Sequence, residues 1–176
     1  MNTAHRVWKL GADIDTDALA PGAYMKLGIE GIAPHCLERV RPEFASSVGA
    51  GDVIVAGPNF GIGSSREQAA AALVHLGVKA VIAPSFSGLF FRNAFNLGLL
   101  LLTARDANQI LEGESIRIDL QTAEIETFTG SRLKFEPIPH FLLSMVEAGG
   151  LFNQLKRERF QPRNGDTTRK NGLPTE

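Results

Sequence analysis

The first two thirds of the chain carry short apolar runs that are separated by polar or glycine-rich segments. Residues 5–10 alternate between polar and apolar positions, which is typical of a half-buried strand. Three later runs are dominated by apolar residues, as are strands that are buried on both faces of a parallel sheet. These runs are residues 52–56, 79–84 and 99–102.

Helical segments alternate with these strands. Residues 64–77 (SSREQAAAALVHLG) are predicted as a helix that opens with Ser and Glu in its first turn and ends at Gly77. Residues 87–96 are predicted as a second, shorter helix. The order strand, loop, helix, strand, helix, strand over residues 52–102 indicates an α/β fold with parallel strands.

The remainder of the chain has other patterns. Residues 115–135 contain three short alternating segments with turn residues between them, which predicts an antiparallel meander. Residues 138–158 have a helical pattern that Gly149 and Gly150 interrupt. We therefore expect a mixed sheet with flanking helices.

Two glycine-containing segments, residues 11–21 and 57–63, are predicted as loops. Residues 161–176 contain one large apolar residue and are predicted to form a disordered tail or to lie on a partner. The domain itself is expected to span residues 1–160.

The composition excludes several classes of function. The 176-residue chain has a formal net charge of −1, which argues against a nucleic acid or a membrane surface as the partner. No apolar run approaches the roughly 18 residues of a membrane-spanning helix, and the first ten residues lack the features of a signal peptide. Cys36 is the only cysteine, and one thiol cannot hold an iron–sulfur cluster. We expect a cytoplasmic protein without a cofactor or metal of its own.

The segment that points most clearly to chemistry is residues 57–68 (GPNFGIGSSREQ). Its glycines let the backbone approach a ligand closely, and the first N–H groups of the following helix are free to bind an anion. Arg66 adds a planar, two-pronged grip for carboxylate or phosphate. Ser64 and Ser65 supply hydroxyls at the same point, although an ordinary helix capped by one of them explains the pattern equally well.

Longer stretches of the chain resemble the small subunits of isopropylmalate isomerases and the fourth, mobile domain of aconitases. The resemblance extends in order over most of residues 8–102 and is carried by DIDTDALAPGAYM, NFGIGSSREQ, GVKAVIAPSF and FFRNAFNLGLL. It implies a compact swivelling β/β/α domain. It also implies the dehydration and rehydration of a small hydroxy-diacid together with a large subunit, which carries a 4Fe–4S cluster.

The same resemblance implies roles for particular residues. Ser64 is expected to be the catalytic base and Asp17 part of its acid–base network, although an aspartate that only shapes a turn is the alternative for Asp17. The expected substrate-binding residues are Ser65, Arg66, Tyr24, Met25, Lys26 and Leu27. Residues 24–32 correspond to the part of the family that meets the variable substituent of the substrate. Their apolar side chains favour an isopropyl group, but they also suit a core or a subunit interface.

The leading interpretation is therefore a lyase subunit that interconverts 2-isopropylmalate and 3-isopropylmalate in leucine biosynthesis and is active only in a heteromer. Gln68 stands where the family usually has a histidine, and Lys26 suits a further carboxylate. These residues leave open a paralogous dehydratase for dimethylmalate, methylmalate or homocitrate. A non-catalytic anion-binding or regulatory module with the same fold is a further alternative. A dinucleotide-binding domain is disfavoured, because the glycine spacing is not G-x-G-x-x-G.

Overall fold

A computed structural model describes residues 3–160 of the chain, in which the strands form one mixed sheet. The strands are β1 (His5–Lys9), β2 (Val53–Val55), β3 (Ala80–Ala83), β4 (Leu100–Thr103), β5 (Ser115–Asp119), β6 (Glu124–Thr127) and β7 (Arg132–Lys134). The seven strands lie in the order β4-β3-β2-β1-β5-β6-β7. Strands β1 to β4 are parallel, and β5 to β7 form an antiparallel meander that pairs with β1. The predicted mixed sheet and meander are confirmed, whereas the predicted tail, residues 161–176, lies outside the described residues.

Helices flank the sheet, as predicted. The α-helices are α1 (Thr16–Leu19), α2 (Gly28–Ile32), α3 (Phe44–Ser47), α4 (Glu67–His75), α5 (Gly88–Asn96), α6 (His140–Ala148) and α7 (Leu151–Phe160). Short 3-10 helices span Gly22–Leu27, Ala33–His35 and Ala107–Gln109. The predicted interruption between α6 and α7 is confirmed at Gly149, which takes a left-handed φ of 76° and ends α6. Within residues 3–160, no helix combines the length and the apolar character that crossing a membrane requires.

The parallel strands are apolar throughout because both of their faces are buried. In β2, Ile54 packs into a core that it shares with Leu73 of α4 and Phe90 of α5. Its neighbours Val53 and Val55 point to the opposite face and join a second core. Apolar side chains of the meander close that second core; they are Ile116, Ile125, Leu133 and Phe135. The sheet therefore curls, so that the meander covers the face that α4 and α5 leave open.

Two loops run side by side beyond the carboxyl ends of β1 and β2. These strands are parallel neighbours, so the segments that follow them leave the sheet at the same edge. The N–H of Gly61 donates to the carbonyl of Ile14 at 2.7 Å, and the N–H of Thr16 donates to the carbonyl of Ile62 at 2.8 Å. These bonds extend the parallel pairing beyond the sheet and bring the loop after β1 against the segment that precedes α4.

The prediction that residues 11–21 form only a loop is wrong, because the segment contains α1. The side chain of Asp15 caps this helix by accepting a hydrogen bond from the N–H of Ala18 at 2.7 Å. Leu19 in the same turn is fully buried. A single helical turn is too short to show a helical period, whereas its aspartates and its flanking glycine and proline are typical of loops.

The prediction that a helix begins at Ser64 is also wrong, since α4 begins at Glu67. Arg66 is the residue that precedes the helix, with an extended ψ of 111°, and no side chain of residues 3–160 caps the helix. The alternative in which Ser64 or Ser65 serves as an ordinary cap is therefore excluded. The chain is paired with the loop after β1 up to Ile62, and the helix begins only after Arg66.

Replacement of Gly61 by alanine tests how much the fold depends on the close packing of Gly61 against Phe90. Gly61 has a φ of 80°, and a Cβ atom there would overlap the ring of the buried Phe90. We expect Gly61→Ala to lower the free energy of unfolding by about 2–4 kcal/mol, measured by urea denaturation. Gly11→Ala is the control, because its Cβ would meet nothing within 4 Å. Equal losses in the two variants would contradict the prediction.

Candidate active site

The Asp-Thr-Asp segment at residues 15–17 divides its side chains among three contacts. Asp15 caps α1, whereas Thr16 and Asp17 reach the segment that leads into α4. This separation follows from the helical turn, in which successive side chains point in directions about 100° apart. Asp13, which precedes the turn, accepts a hydrogen bond from the side-chain amide of Asn59 at 2.8 Å and so helps to join the two loops.

Ser64 lies against the hydroxyl of Thr16. The N–H of Ser64 donates to Thr16 Oγ1 at 3.1 Å, and the two hydroxyl oxygens are also 3.1 Å apart. Thr16 is only 2% exposed, whereas Ser64 is exposed on its other side. Ser64 is therefore an exposed residue whose hydroxyl contacts a buried hydroxyl.

Arg66 is held in place by the loop after β1. Its Nη1 donates to Asp17 Oδ1 at 2.6 Å and to the carbonyl of Ala20 at 3.0 Å. The N–H of Gly22 also donates to Asp17 Oδ1, at 3.0 Å. These bonds, of which the one from Arg66 contributes most, hold the pKa of Asp17 below its ordinary value of 3.8. The Nη2 edge of Arg66 has no acceptor among residues 3–160, so it is available to a ligand.

Free backbone N–H groups complete the site. Within residues 3–160, the N–H groups of the four residues from Ser65 to Gln68 donate to no protein oxygen. They lie at the amino end of α4, where the helix dipole favours negative charge. Asn93 of α5 fixes this segment by donating to the carbonyl of Ser65 at 3.1 Å. An exposed hydroxyl, free N–H groups and a positioned guanidinium are the parts that bind and stabilise an anion.

The predicted substrate-binding residues 24–27 lie in the 3-10 helix Gly22–Leu27 and divide into two pairs. Tyr24 and Met25 are half-buried and pack against the core, whereas Lys26 is exposed and Leu27 is 62% exposed. The helix begins beside the candidate site, because Gly22 contacts Asp17. The alternative in which the apolar residues of this segment belong to the core therefore holds for Tyr24 and Met25. The second pair is open to a ligand or a partner.

Tyr24 is anchored by a contact that sequence analysis missed. Its ring stacks on that of His35 with a centroid distance of 3.5 Å and an angle of 9° between the ring planes. His35 Nδ1 lies 2.7 Å from a carboxylate oxygen of Glu38. Thr16 was also missed as a site residue. The pattern offered no signal for either contact, since a threonine between two aspartates and a histidine beside a cysteine have many ordinary roles.

Gln68, which departs from the family pattern, lies half-buried in the first turn of α4. Its side chain makes no hydrogen bond to any residue between 3 and 160. In that part of the chain, no group of three or more histidine, cysteine or carboxylate side chains is placed to hold a metal ion. Cys36 is buried, and burial raises the pKa of its thiol to about 12. A buried neutral thiol does not suit an iron–sulfur cluster, which binds thiolates.

Comparisons with known proteins agree on one family. The family model described as the aconitase C-terminal domain matches residues 45–107. The small subunit of 3-isopropylmalate dehydratase from Sulfurimonas denitrificans is 43% identical to the chain over 159 residues, which are 89% of this chain and 95% of that protein. The chain belongs to the 3-isopropylmalate dehydratase small-subunit family. The resemblance noted in the sequence is thereby confirmed.

A solved structure and a second relative extend this result. The crystal structure of 3-isopropylmalate dehydratase from Methanocaldococcus jannaschii superimposes with a TM-score of 0.84 at 42% identity, and the match covers 90% of this chain and 96% of that one. The methanogen homoaconitase small subunit of Methanothermobacter thermautotrophicus is 48% identical over 151 residues, which are 84% of this chain and 87% of that protein. A relative named for homoaconitase activity is thus about as similar to this chain as a relative named for 3-isopropylmalate dehydratase activity.

The contact between Asp17 and Arg66 predicts a pH dependence of stability. Because the folded pKa of Asp17 lies below its ordinary value, its charged form stabilises the fold at neutral pH, and this contribution is lost as the pH falls through the folded pKa. We therefore expect the difference in unfolding free energy between the wild-type chain and Asp17→Asn to shrink as the pH falls from about 5 to below the folded pKa. Urea denaturation across that range measures it.

The control is the same comparison in an Arg66→Gln background. Without the guanidinium, the pH-dependent part of the Asp17→Asn difference should be smaller. A difference that stays constant with pH in the Arg66-containing chain would show that the carboxylate charge does not stabilise the fold.

Proposed function

We propose that this chain is the small subunit of a heteromeric hydro-lyase that interconverts 2-isopropylmalate and 3-isopropylmalate in leucine biosynthesis. The observation that carries the proposal is the arrangement of Ser64 and Arg66, in which an exposed hydroxyl lies beside free N–H groups and a positioned guanidinium. The names of the relatives support the substrate and a large-subunit partner. The cytoplasmic location stays a prediction.

Ser64 acts as the base in this proposal. Its deprotonated oxygen takes a proton from the carbon next to a substrate carboxylate, the electrons of that C–H bond form the C=C bond, and hydroxide leaves the neighbouring carbon. A serine hydroxyl is a weak base at neutral pH, so its anion has to be stabilised. The N–H groups at the start of α4 and the charge of Arg66 serve that purpose. In rehydration to the isomer, hydroxide adds to the carbon that had lost the proton, the electrons of the C=C bond form a new C–H bond at the neighbouring carbon, and Ser64 supplies that proton.

Arg66 and Ser65 bind the substrate carboxylate. Asp17 occupies only the Nη1 side of the guanidinium, which leaves the Nη2 edge for a carboxylate oxygen. Ser65 is exposed and adjacent, so its hydroxyl donates to the same group. Asp17 thus orients Arg66 and balances its charge, and we assign it this role within the acid–base network.

The departing hydroxide needs a Lewis acid, which a 4Fe–4S cluster in the large subunit would supply. Two features of this chain support that division. Ser64, Ser65 and Leu27 are all exposed, as half of a site that a partner completes would be. Cys36 is buried in the core and does not reach the site surface.

A second candidate is a related dehydratase for a hydroxy-diacid with an additional carboxylate, such as homocitrate. Lys26 favours it, because this residue is exposed in the 3-10 helix that begins at the site and forms no ion pair among the described residues. The relative named as a homoaconitase small subunit supports it as well. Leu27, which is 62% exposed in the same turn, favours the isopropyl substituent instead.

Reconstitution with the large subunit tests the proposal. The two chains are assembled under anaerobic conditions, and the enoic intermediate is followed by its ultraviolet absorbance with isopropylmalate, dimethylmalate, homocitrate and citrate. We expect turnover of isopropylmalate, and a loss of about 10³-fold or more in kcat for Ser64→Ala. Ser46→Ala is the control, since Ser46 is exposed on α3 and its hydroxyl bonds, among residues 3–160, only to the carbonyl of Glu43.

Three other outcomes would change the proposal. Near-normal activity of Ser64→Ala would exclude Ser64 as the base. Turnover of homocitrate alone would favour the second candidate. A complex that carries an intact cluster but is inactive with all four substrates would favour a non-catalytic anion-binding or regulatory module.

Leu27→Ala tests the origin of the substrate preference. If Leu27 covers the isopropyl group, its truncation should lower kcat/KM for isopropylmalate by about tenfold, as expected for the loss of a few buried methylene groups. The control is Leu111→Ala, which removes a side chain of similar exposure (56%) from a loop distant in sequence. An unchanged kcat/KM for Leu27→Ala would exclude this contact.

A further inference from the structure

We infer that Thr16 is a positioning residue that donates a hydrogen bond to the deprotonated oxygen of Ser64 and stabilises it. The inference rests on the proposed function, because it concerns Ser64 as the base. The inference adds Thr16 to the proposed site. Thr16 lies on the buried side of the site and acts on the reaction through Ser64. Both hydrogen bonds of the Thr16 hydroxyl within residues 3–160 go to Ser64.

The direction of the hydrogen bond follows from the chemistry of the base. In the neutral site either hydroxyl can donate across the 3.1 Å between Thr16 Oγ1 and Ser64 Oγ. Once Ser64 has lost its proton, its oxygen can only accept, so the O–H of Thr16 must donate. A hydrogen bond to an anion is shorter and about twice as strong as one between neutral groups. The contact therefore stabilises the reactive form more than the resting form.

The Thr16 hydroxyl is already in place for this role. The residue is 2% exposed, and its oxygen also accepts the N–H of Ser64, so water does not compete for the hydroxyl. The adjacent Gly63 allows the close approach, since a Cβ at this position would lie 3.1 Å from Thr16 Oγ1 and its φ is 105°. A donor that is fixed before the reaction needs no reorganisation when charge develops.

A purely structural role explains the contact less well. The loop of Thr16 and the loop of Ser64 are already joined by backbone hydrogen bonds, from Gly61 to Ile14 and from Thr16 to Ile62. Those bonds do not involve the hydroxyl. Pairing of the loops therefore persists if the hydroxyl is removed, whereas the support behind the Ser64 oxygen does not.

Thr16→Val and Thr16→Ser separate these roles in the reconstituted complex. The valine variant keeps the shape but removes the donor, and we expect kcat to fall by about 10²-fold while KM stays within about twofold. The serine variant restores the donor, and we expect its kcat to lie within about threefold of the wild-type value. If Thr16→Val does not fold, Thr16→Ala deletes the hydroxyl without placing a second methyl group in its position.

Thr127→Val is the matched control. Thr127 is also buried, at 5% exposure, and its hydroxyl likewise accepts a backbone N–H, from Ser131, and contacts a second hydroxyl, that of Thr129. It lies in β6, so its replacement reproduces the general cost of deleting a buried threonine hydroxyl. We expect its kcat to match the wild-type value.

A second readout needs no activity. Amide hydrogen exchange of the isolated chain should be faster at Ser64 in Thr16→Val, and unchanged there in Thr16→Ser and Thr127→Val. Wild-type kcat in Thr16→Val, or an equal loss in Thr127→Val, would overturn the inference while the proposed function stands. Inactivity of the wild-type complex would instead refute the proposed function, while the exchange experiment still reports on the hydrogen bond.

Discussion

The site depends on the parallel pairing of two loops beyond the edge of the sheet. Strands β1 and β2 end side by side, and the bonds from Gly61 to Ile14 and from Thr16 to Ile62 continue their pairing. The chain is held in this pairing up to Ile62, and the helix begins only at Glu67. The N–H groups at the start of α4 consequently have no acceptor within residues 3–160, and they lie beside the exposed Ser64. A helix that began at Ser64 would use part of this segment in its own hydrogen bonding.

The polar contacts of the site lie in two layers with different exposure. Thr16 holds Ser64 from the buried side, and Asp17 holds Arg66 at the margin of the site. The outward layer consists of groups without protein partners among the described residues, including the hydroxyl of Ser65 and the Nη2 edge of Arg66. Charge that develops on a ligand therefore meets donors whose positions the inner layer has already set. Such an open layer suits a site that a second subunit covers.

The 3-10 helix next to the candidate site has an anchored part and an exposed part. The 3-10 helix Gly22–Leu27 is anchored through Tyr24, which stacks on His35, and it exposes Lys26 and Leu27 at its far end. A change at the exposed end alters the surface there without disturbing the anchor. This separation is consistent with a family in which relatives named for isopropylmalate and for homoaconitase activity have similar identity to this chain.

The sequence by itself determined the parallel core, because strands buried on both faces have to be apolar at every position, as the runs at residues 52–56 and 79–84 show. The sequence motifs shared with the family likewise indicated Ser64, Arg66 and Asp17 as candidate site residues. Only the tertiary structure decided where α4 begins and which partner each side chain meets. Thr16 and Ser64 are 48 positions apart, and their contact depends on the pairing of two loops, to which no local pattern of polarity responds. Long-range backbone pairing, rather than local propensity, therefore turns these residues into a site.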